Sequence, residues 1–159
     1  MQTFDEIYRR YSPQIYRVCL GYTNDPEHAK DLLQDTFIAV WQGLPSFRQQ
    51  SQVSTWIFRI ATNRCLRAME VAKRMPSEEL PFNLAEPRVD SKEEKLKFLY
   101  QCIAELNETD RIIISLELEG LAQAEIASVV GLSSGNIRVK IHRIKEKLTQ
   151  KFKAHGQFR

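Results

Sequence analysis

Gln123-Ala124-Glu125-Ile126-Ala127-Ser128-Val129-Val130-Gly131-Leu132-Ser133 runs directly into a basic amphipathic stretch that begins at Ser134. Ala127 is small, as the crossing point of two close helices demands. Gly131, four residues later, suits a tight turn, because positive φ is cheap only for glycine. Ile126, Val130, Leu132 and Ile137 supply a shared apolar core. This pattern predicts a helix-turn-helix. Its second helix places Ile137, Ile141, Ile144, Leu148 and Phe152 on one face. Ser134, Asn136, Arg138, Lys140 and Arg143 then point outward, with His142 beside them. Arginine can bond guanine through two hydrogen bonds, and asparagine can do the same with adenine, so the N-terminal residues of this face suit base edges. The competing reading is a helical hairpin with a purely structural role.

Charge supports the DNA reading. Ser133 to Arg159 holds eight basic residues and one acid, Glu146. Val53 to Met75 holds five basic residues and one acid. By contrast, Thr23 to Gly43 has four acids against one base, and Glu105 to Gly120 has five acids against one base. A formal net charge of +3 therefore conceals two basic helices among acidic ones. Like charges repel, and phosphate neutralisation is the usual reason to concentrate them.

The rest of the chain is also helical in period. Phe4, Ile7, Tyr8, Tyr11, Ile15, Val18, Cys19 and Tyr22 form one stripe, with a kink or break expected near Ser12 because of Pro13. Thr23-Asn24-Asp25-Pro26 reads as a stop, a turn and a restart. The next stripe is Ala29, Leu32, Leu33, Phe37, Val40, Trp41 and Leu44, ended by Gly43 and Pro45. After a polar loop, a third stripe runs from Val53 to Ala72, with Arg59, Asn63, Arg64 and Arg67 on its polar side. Trp56 fits the core of this helix better than a base-stacking role, whereas Phe47 and Arg48 in the loop are free to meet a ligand. Residues 76–91 carry Pro76, Pro81 and Pro87 without a clean period and read as a linker. Helices resume with Leu96, Leu99, Ile103 and Leu106, then Ile112, Ile113, Leu116 and Leu118, then a short helix from Leu121 to Val130. The expected fold is all-α: a domain over 1–75, a short linker over 76–91, and a domain over 92–159 that holds the helix-turn-helix.

Other function classes lose ground. Six glycines and six prolines are few for an all-β chain. No apolar run is long enough for a membrane span, and the first residues do not resemble a signal peptide, so membrane insertion is not expected. Cys19, Cys65 and Cys102 are scattered among apolar neighbours and read as small buried hydrophobes. His28, His142 and His155 are isolated, and no phosphate-loop, zinc-protease or nucleophile-elbow motif occurs. An enzyme is not expected, and neither a metal nor a cofactor is called for. A reduced, cytoplasmic protein is the simplest expectation.

Three segments, in order, resemble the extracytoplasmic-function (ECF) sigma factors of bacteria. The first is Asp31-Leu32-Leu33-Gln34-Asp35-Thr36-Phe37-Ile38-Ala39-Val40-Trp41, similar to the family's polymerase-binding helix. The second is Phe47-Arg48 with Ser54-Thr55-Trp56-Ile57-Phe58-Arg59-Ile60-Ala61-Thr62-Asn63. The third is Glu125-Ile126-Ala127 with Gly135-Asn136-Ile137-Arg138-Val139-Lys140-Ile141-His142-Arg143. The resemblance implies that the chain binds core RNA polymerase and directs it to promoters. Asp31, Leu32, Gln34, Asp35, Ile38 and Trp41 would dock on the clamp helices of the largest subunit. The loop with Phe47, Arg48 and Gln49 would hold a base flipped from the −10 element, with Arg59, Asn63, Arg64 and Arg67 along the same element. Ser134, Asn136, Arg138, Lys140, His142 and Arg143 would enter the major groove at the −35 element. The C-terminal domain would also grip the polymerase flap tip, and an anti-sigma factor is an expected partner. The rival is a helix-turn-helix regulator that acts without core polymerase. The acidic helix at Asp31–Trp41 weighs against it, since such a regulator does not require one.

Overall fold

The computed structural model describes residues 2–48, 52–74 and 91–155. Seven α-helices occupy them, and no strand occurs among the described residues. Helix α1 spans Phe4–Thr23, α2 Pro26–Gly43 and α3 Val53–Arg74; a 3-10 turn, Leu44–Ser46, follows α2. Then come α4 (Ser91–Ala104), α5 (Glu108–Leu118), α6 (Gln123–Val130) and α7 (Ser134–His155). The predicted linker, 76–91, lies outside the described residues except for Ser91, which opens α4.

Local chemistry sets the ends of these helices. Thr3 caps α1 in a reciprocal box: its hydroxyl accepts from the Glu6 N–H at 3.3 Å, and the Glu6 carboxylate accepts from the Thr3 N–H at 3.1 Å. The stop and restart at Thr23–Pro26 forms as its sequence predicts. Asn24 takes a left-handed conformation (φ 52°) and donates to the Leu20 carbonyl, then Asp25 caps α2 ahead of Pro26. The expected break near Ser12 does not form: α1 continues through Pro13. Pro13 lies on the exposed side, while Tyr11, Ile15 and Val18 anchor the opposite face in the core, and this packing offsets one lost backbone bond. Helix α6 also starts later than expected, at Gln123, because Leu121 turns into the core and Ala122 is extended. Leu96 and Leu118, expected on apolar stripes, are exposed.

One apolar cluster runs through both halves of the molecule. Ile15, Val18, Val40, Ile57 and Ala61 fill the space between α1, α2 and α3. Cys19 and Cys65 belong there too, their sulfurs 3.9 Å apart; that contact and burial raise the pKa of the Cys65 thiol. Ile103, Ile112, Ile113, Leu116, Ile126, Ile137 and Ile144 fill the second half. The halves meet where α1 crosses α5 and where α3 lies against α6. At the first crossing, Gly21 faces Ser115 so closely that a Cβ would collide with the serine hydroxyl.

Candidate polymerase and nucleic-acid interfaces

Helix α7 is shaped by the turn ahead of it. Gly131 (φ 78°) donates to the Ala127 carbonyl at 2.9 Å, and Leu132 donates to the same oxygen at 3.1 Å, which closes α6 in a Schellman turn. The Ser133 hydroxyl then accepts from the Asn136 N–H at 3.2 Å and starts α7. Ile137, Ile141, Ile144 and Leu148 are buried, so the opposite face is fixed outward. Ser134, Asn136, Arg138, His142 and Arg143 are all exposed there. Lys140 sits lower, half-buried, with its ammonium 3.9 Å from Asp110 on α5. His142 lies 3.2 Å from Glu146 one turn on. Arg138 and Arg143 have no ionic partner among the described residues.

A second surface surrounds the start of α3. Gly43, Ser46, Phe47, Arg48, Trp56, Arg59 and Ser128 line an open cleft of about 660 Å³. Phe47 stacks on Trp56, with centroids 4.7 Å apart and planes 24° apart. Gly43 lets the indole lie flush, since a Cβ there would stand 2.9 Å from Trp56 Cζ2. Trp56 is thus half-buried, a wall of the cleft as much as a part of the core. Phe58, by contrast, is fully in the core. Asn63 and Arg67 are exposed and Arg64 half-buried along the same helix. Gln49 lies outside the described residues. Ser128 arrives from α6, and nothing in the spacing of the N-terminal half pointed to it. Arg59 Nη2 donates to the Ser128 carbonyl at 3.3 Å and to its hydroxyl at 3.0 Å.

The third surface is the outer face of α2. Asp31, Gln34, Asp35, Ile38 and Trp41 are exposed, Ile38 at 54% and Trp41 at 62%. Leu32 corrects the sequence reading: at 4% exposure it belongs to the core and presents no side chain to a partner. One turn of α2 points it inward while Asp31 and Asp35 point out. The sequence also missed two members of this face. Phe4 and Tyr8, from α1, join Gln34, Phe37, Ile38 and Trp41 around an apolar groove of about 400 Å³. Phe4 meets Trp41 edge to face at 5.1 Å, and Tyr8 meets Phe37 at 4.9 Å. The signal was present in the α1 stripe, where Phe4 and Tyr8 lie one turn apart. Exposed aromatics gathered in this way mark interaction surfaces.

No group of three or more His, Cys, Asp or Glu residues that could hold a metal occurs among the described residues. No helix among them is long and apolar enough to cross a membrane.

Comparison with known proteins joins these surfaces. Residues 7–75 match the family model for Sigma-70 region 2, and residues 99–148 match that for Sigma-70, region 4. The ECF RNA polymerase sigma factor SigM of Mycobacterium tuberculosis is 27% identical over 150 residues, covering 92% of this chain and 76% of SigM. The chain is an ECF sigma factor. This sigma factor therefore directs promoter-specific transcription initiation by RNA polymerase, and its family is not one of enzymes. Core RNA polymerase is the partner that membership implies. Among solved structures, RpoE in complex with the anti-sigma factor NepR from Bartonella quintana superposes with a TM-score of 0.77 at 20% identity, covering 94% of this chain and 96% of that one. CnrH in complex with the cytosolic domain of CnrY gives a TM-score of 0.73 at 23% identity, covering 95% and 88%. At these identities the two structures speak for the fold.

Proposed function

We propose that this sigma factor divides its work among the three surfaces. The α2 face, with Asp31, Gln34, Asp35, Ile38, Trp41 and the added Phe4 and Tyr8, docks on the clamp helices of the polymerase largest subunit. The cleft with Phe47, Arg48 and Trp56 takes a base flipped from the −10 element, Arg59 borders it, and Asn63, Arg64 and Arg67 lie along that element's upstream duplex. Arg138, Asn136 and Arg143 on α7 read and grip the −35 major groove, while the C-terminal half meets the flap tip. Base capture holds the strands open, and polymerase supplies the chemistry. The observation that carries this reading is the segregation of charge and apolarity. The α7 guanidinium groups of Arg138 and Arg143 have no ion-pair partner among the described residues, whereas α2 presents carboxylates beside aromatic rings. DNA repels the second surface and attracts the first. An anti-sigma factor is the expected inhibitor, as the structural neighbour RpoE is held in a complex with one.

The test is binding of the purified chain to core RNA polymerase by gel filtration, followed by transcription from genomic fragments. Asp35→Ala should weaken the polymerase complex and leave duplex contacts alone. Arg138→Ala should leave the complex intact and weaken −35 recognition by ~1–3 kcal/mol. Exchange of the two phenotypes would overturn the assignment of the surfaces.

A further inference from the structure

Helix α7 carries a residue that neither packing nor helix propensity accounts for. Val139 is 46% exposed, and among the described residues it is the one large apolar side chain on the exposed side of α7. A β-branched residue at a solvated helix position loses rotamer freedom and gains no burial in exchange. Its place on the helix is specific. Ile137, Ile141, Ile144 and Leu148 hold one side of α7 in the core. Val139 lies midway between Ile137 and Ile141 in sequence, which puts it at the crest of the opposite side. Its helical neighbours three and four residues away are Gly135, Asn136, His142 and Arg143, all exposed. An apolar side chain thus stands in the middle of the polar face turned toward DNA.

Gly135 is a second residue that the fold does not call for. Its backbone is helical, and no atom lies within 4 Å of where a Cβ would stand, so neither a turn nor close packing within the chain requires glycine. It weakens the first turn of α7 relative to alanine. Bare backbone is useful where another molecule comes close. Gly135 lies one turn before Val139 on the same face.

We infer, on the reading of α7 as the −35 helix, that Val139 packs against the C5-methyl of a thymine in the −35 element and so selects an A·T pair there, while Gly135 lets that pair's edge approach the helix. In the major groove that methyl is the apolar feature of the base-pair code, and an isopropyl group among hydrogen-bonding side chains matches it. Asn136 and Arg143, on either side, can bond the edges of adjacent pairs. Val139 carries no charge, so it adds discrimination between sequences without adding to the phosphate grip.

Exchange of thymine for uracil tests this, because it removes the methyl and leaves every hydrogen-bonding edge in place. Holoenzyme assembled from core RNA polymerase and the full chain is bound to a promoter recovered by transcription from genomic fragments. Each thymine of its −35 element, on either strand, is replaced by deoxyuridine in turn. One replacement should weaken binding about fourfold, the worth of one buried methyl-sized group. Val139→Ala should bind the thymine and uracil forms of that position equally. This variant keeps its fold, because the side chain is exposed and alanine is the better helix former, and thermal unfolding checks it. Gly135→Ala should bind the promoter several-fold more weakly while unfolding no earlier than the parent. A parent indifferent to uracil at every −35 position overturns the inference. So does a Val139→Ala chain that keeps the discrimination, or a Gly135→Ala chain that binds as the parent does. Arg138→Ala separates this idea from the reading beneath it. If that variant binds the promoter unchanged, α7 is not the −35 helix and both fall. If its binding drops while uracil has no effect, α7 stands and the role of Val139 alone is refuted.

Discussion

Two glycines flanking the turn of the helix-turn-helix differ in what they are for. Gly131 has φ 78°, and no atom lies within 4 Å of where its Cβ would stand. Its requirement is therefore conformational alone. Gly131→Ala should cost about 1–2 kcal/mol, the strain of a left-handed alanine. Gly135 also has open space around it but ordinary helical backbone, at the second position of α7. Gly135→Ala should be neutral or stabilise by up to about 1 kcal/mol through helix propensity. Urea unfolding of the pair checks this, and equal effects would mean that neither backbone argument holds. Gly131 was legible in the sequence because a backbone requirement leaves one residue type as its mark. Ser128 was not, since a serine on the exposed side of a short helix is ordinary, and its meeting with Arg59 depends on how two halves pack. Leu32 misled for a related reason: it was grouped with Asp31, Gln34, Asp35, Ile38 and Trp41, which face outward, whereas its helical phase places it with buried Thr36, Phe37 and Val40.

At the scale of the element, α1 shows how tertiary packing overrides local propensity. Pro13 removes an N–H that would bond the Arg9 carbonyl, yet the helix continues for ten residues beyond it. Ile7, Tyr11, Ile15, Val18 and Tyr22 fall on one face and are all buried. The stripe could be read from spacing, so the helix itself was legible. Its continuity was not, because the sequence reveals neither how deeply a stripe is buried nor what faces it. The consequence is testable. Pro13 is exposed and its loss opens no cavity. Pro13→Ala should restore the missing bond and stabilise the chain by roughly 1–3 kcal/mol, with thermal unfolding as the measurement. A destabilised Pro13→Ala chain would show that the proline fixes a bend that α2 or α5 requires.

Across the whole molecule, the acidic segment 105–120 and the basic helix α7 explain each other. In the sequence they stood as two separate blocks of opposite sign. Packed together, the acids neutralise one flank of α7: Glu105 pairs with Lys151, Asp110 with Lys140 at 3.9 Å, and Glu117 with Lys145 at 3.2 Å. Glu119 goes instead to Arg17 in the other half. The block of basic residues thus overstates what is available to DNA. Arg138, Arg143 and Lys147 are exposed without an ion pair among the described residues, whereas Lys140, Lys145 and Lys151 are engaged. Each lysine or arginine that neutralises a phosphate releases condensed counterion and steepens the fall of affinity with salt. A cation already facing a carboxylate contributes less, because DNA must first displace that partner. For binding to a duplex promoter fragment, Arg143→Ala should reduce the slope of log affinity against log salt by about 1. Lys145→Ala should leave that slope nearly unchanged, because Glu117 holds its ammonium. Fluorescence anisotropy over a salt series distinguishes the two. Equal losses from both variants would mean that Lys145 leaves Glu117 for the phosphate backbone when DNA binds, and that the acidic flank screens α7 in the free chain without limiting which cations reach the promoter.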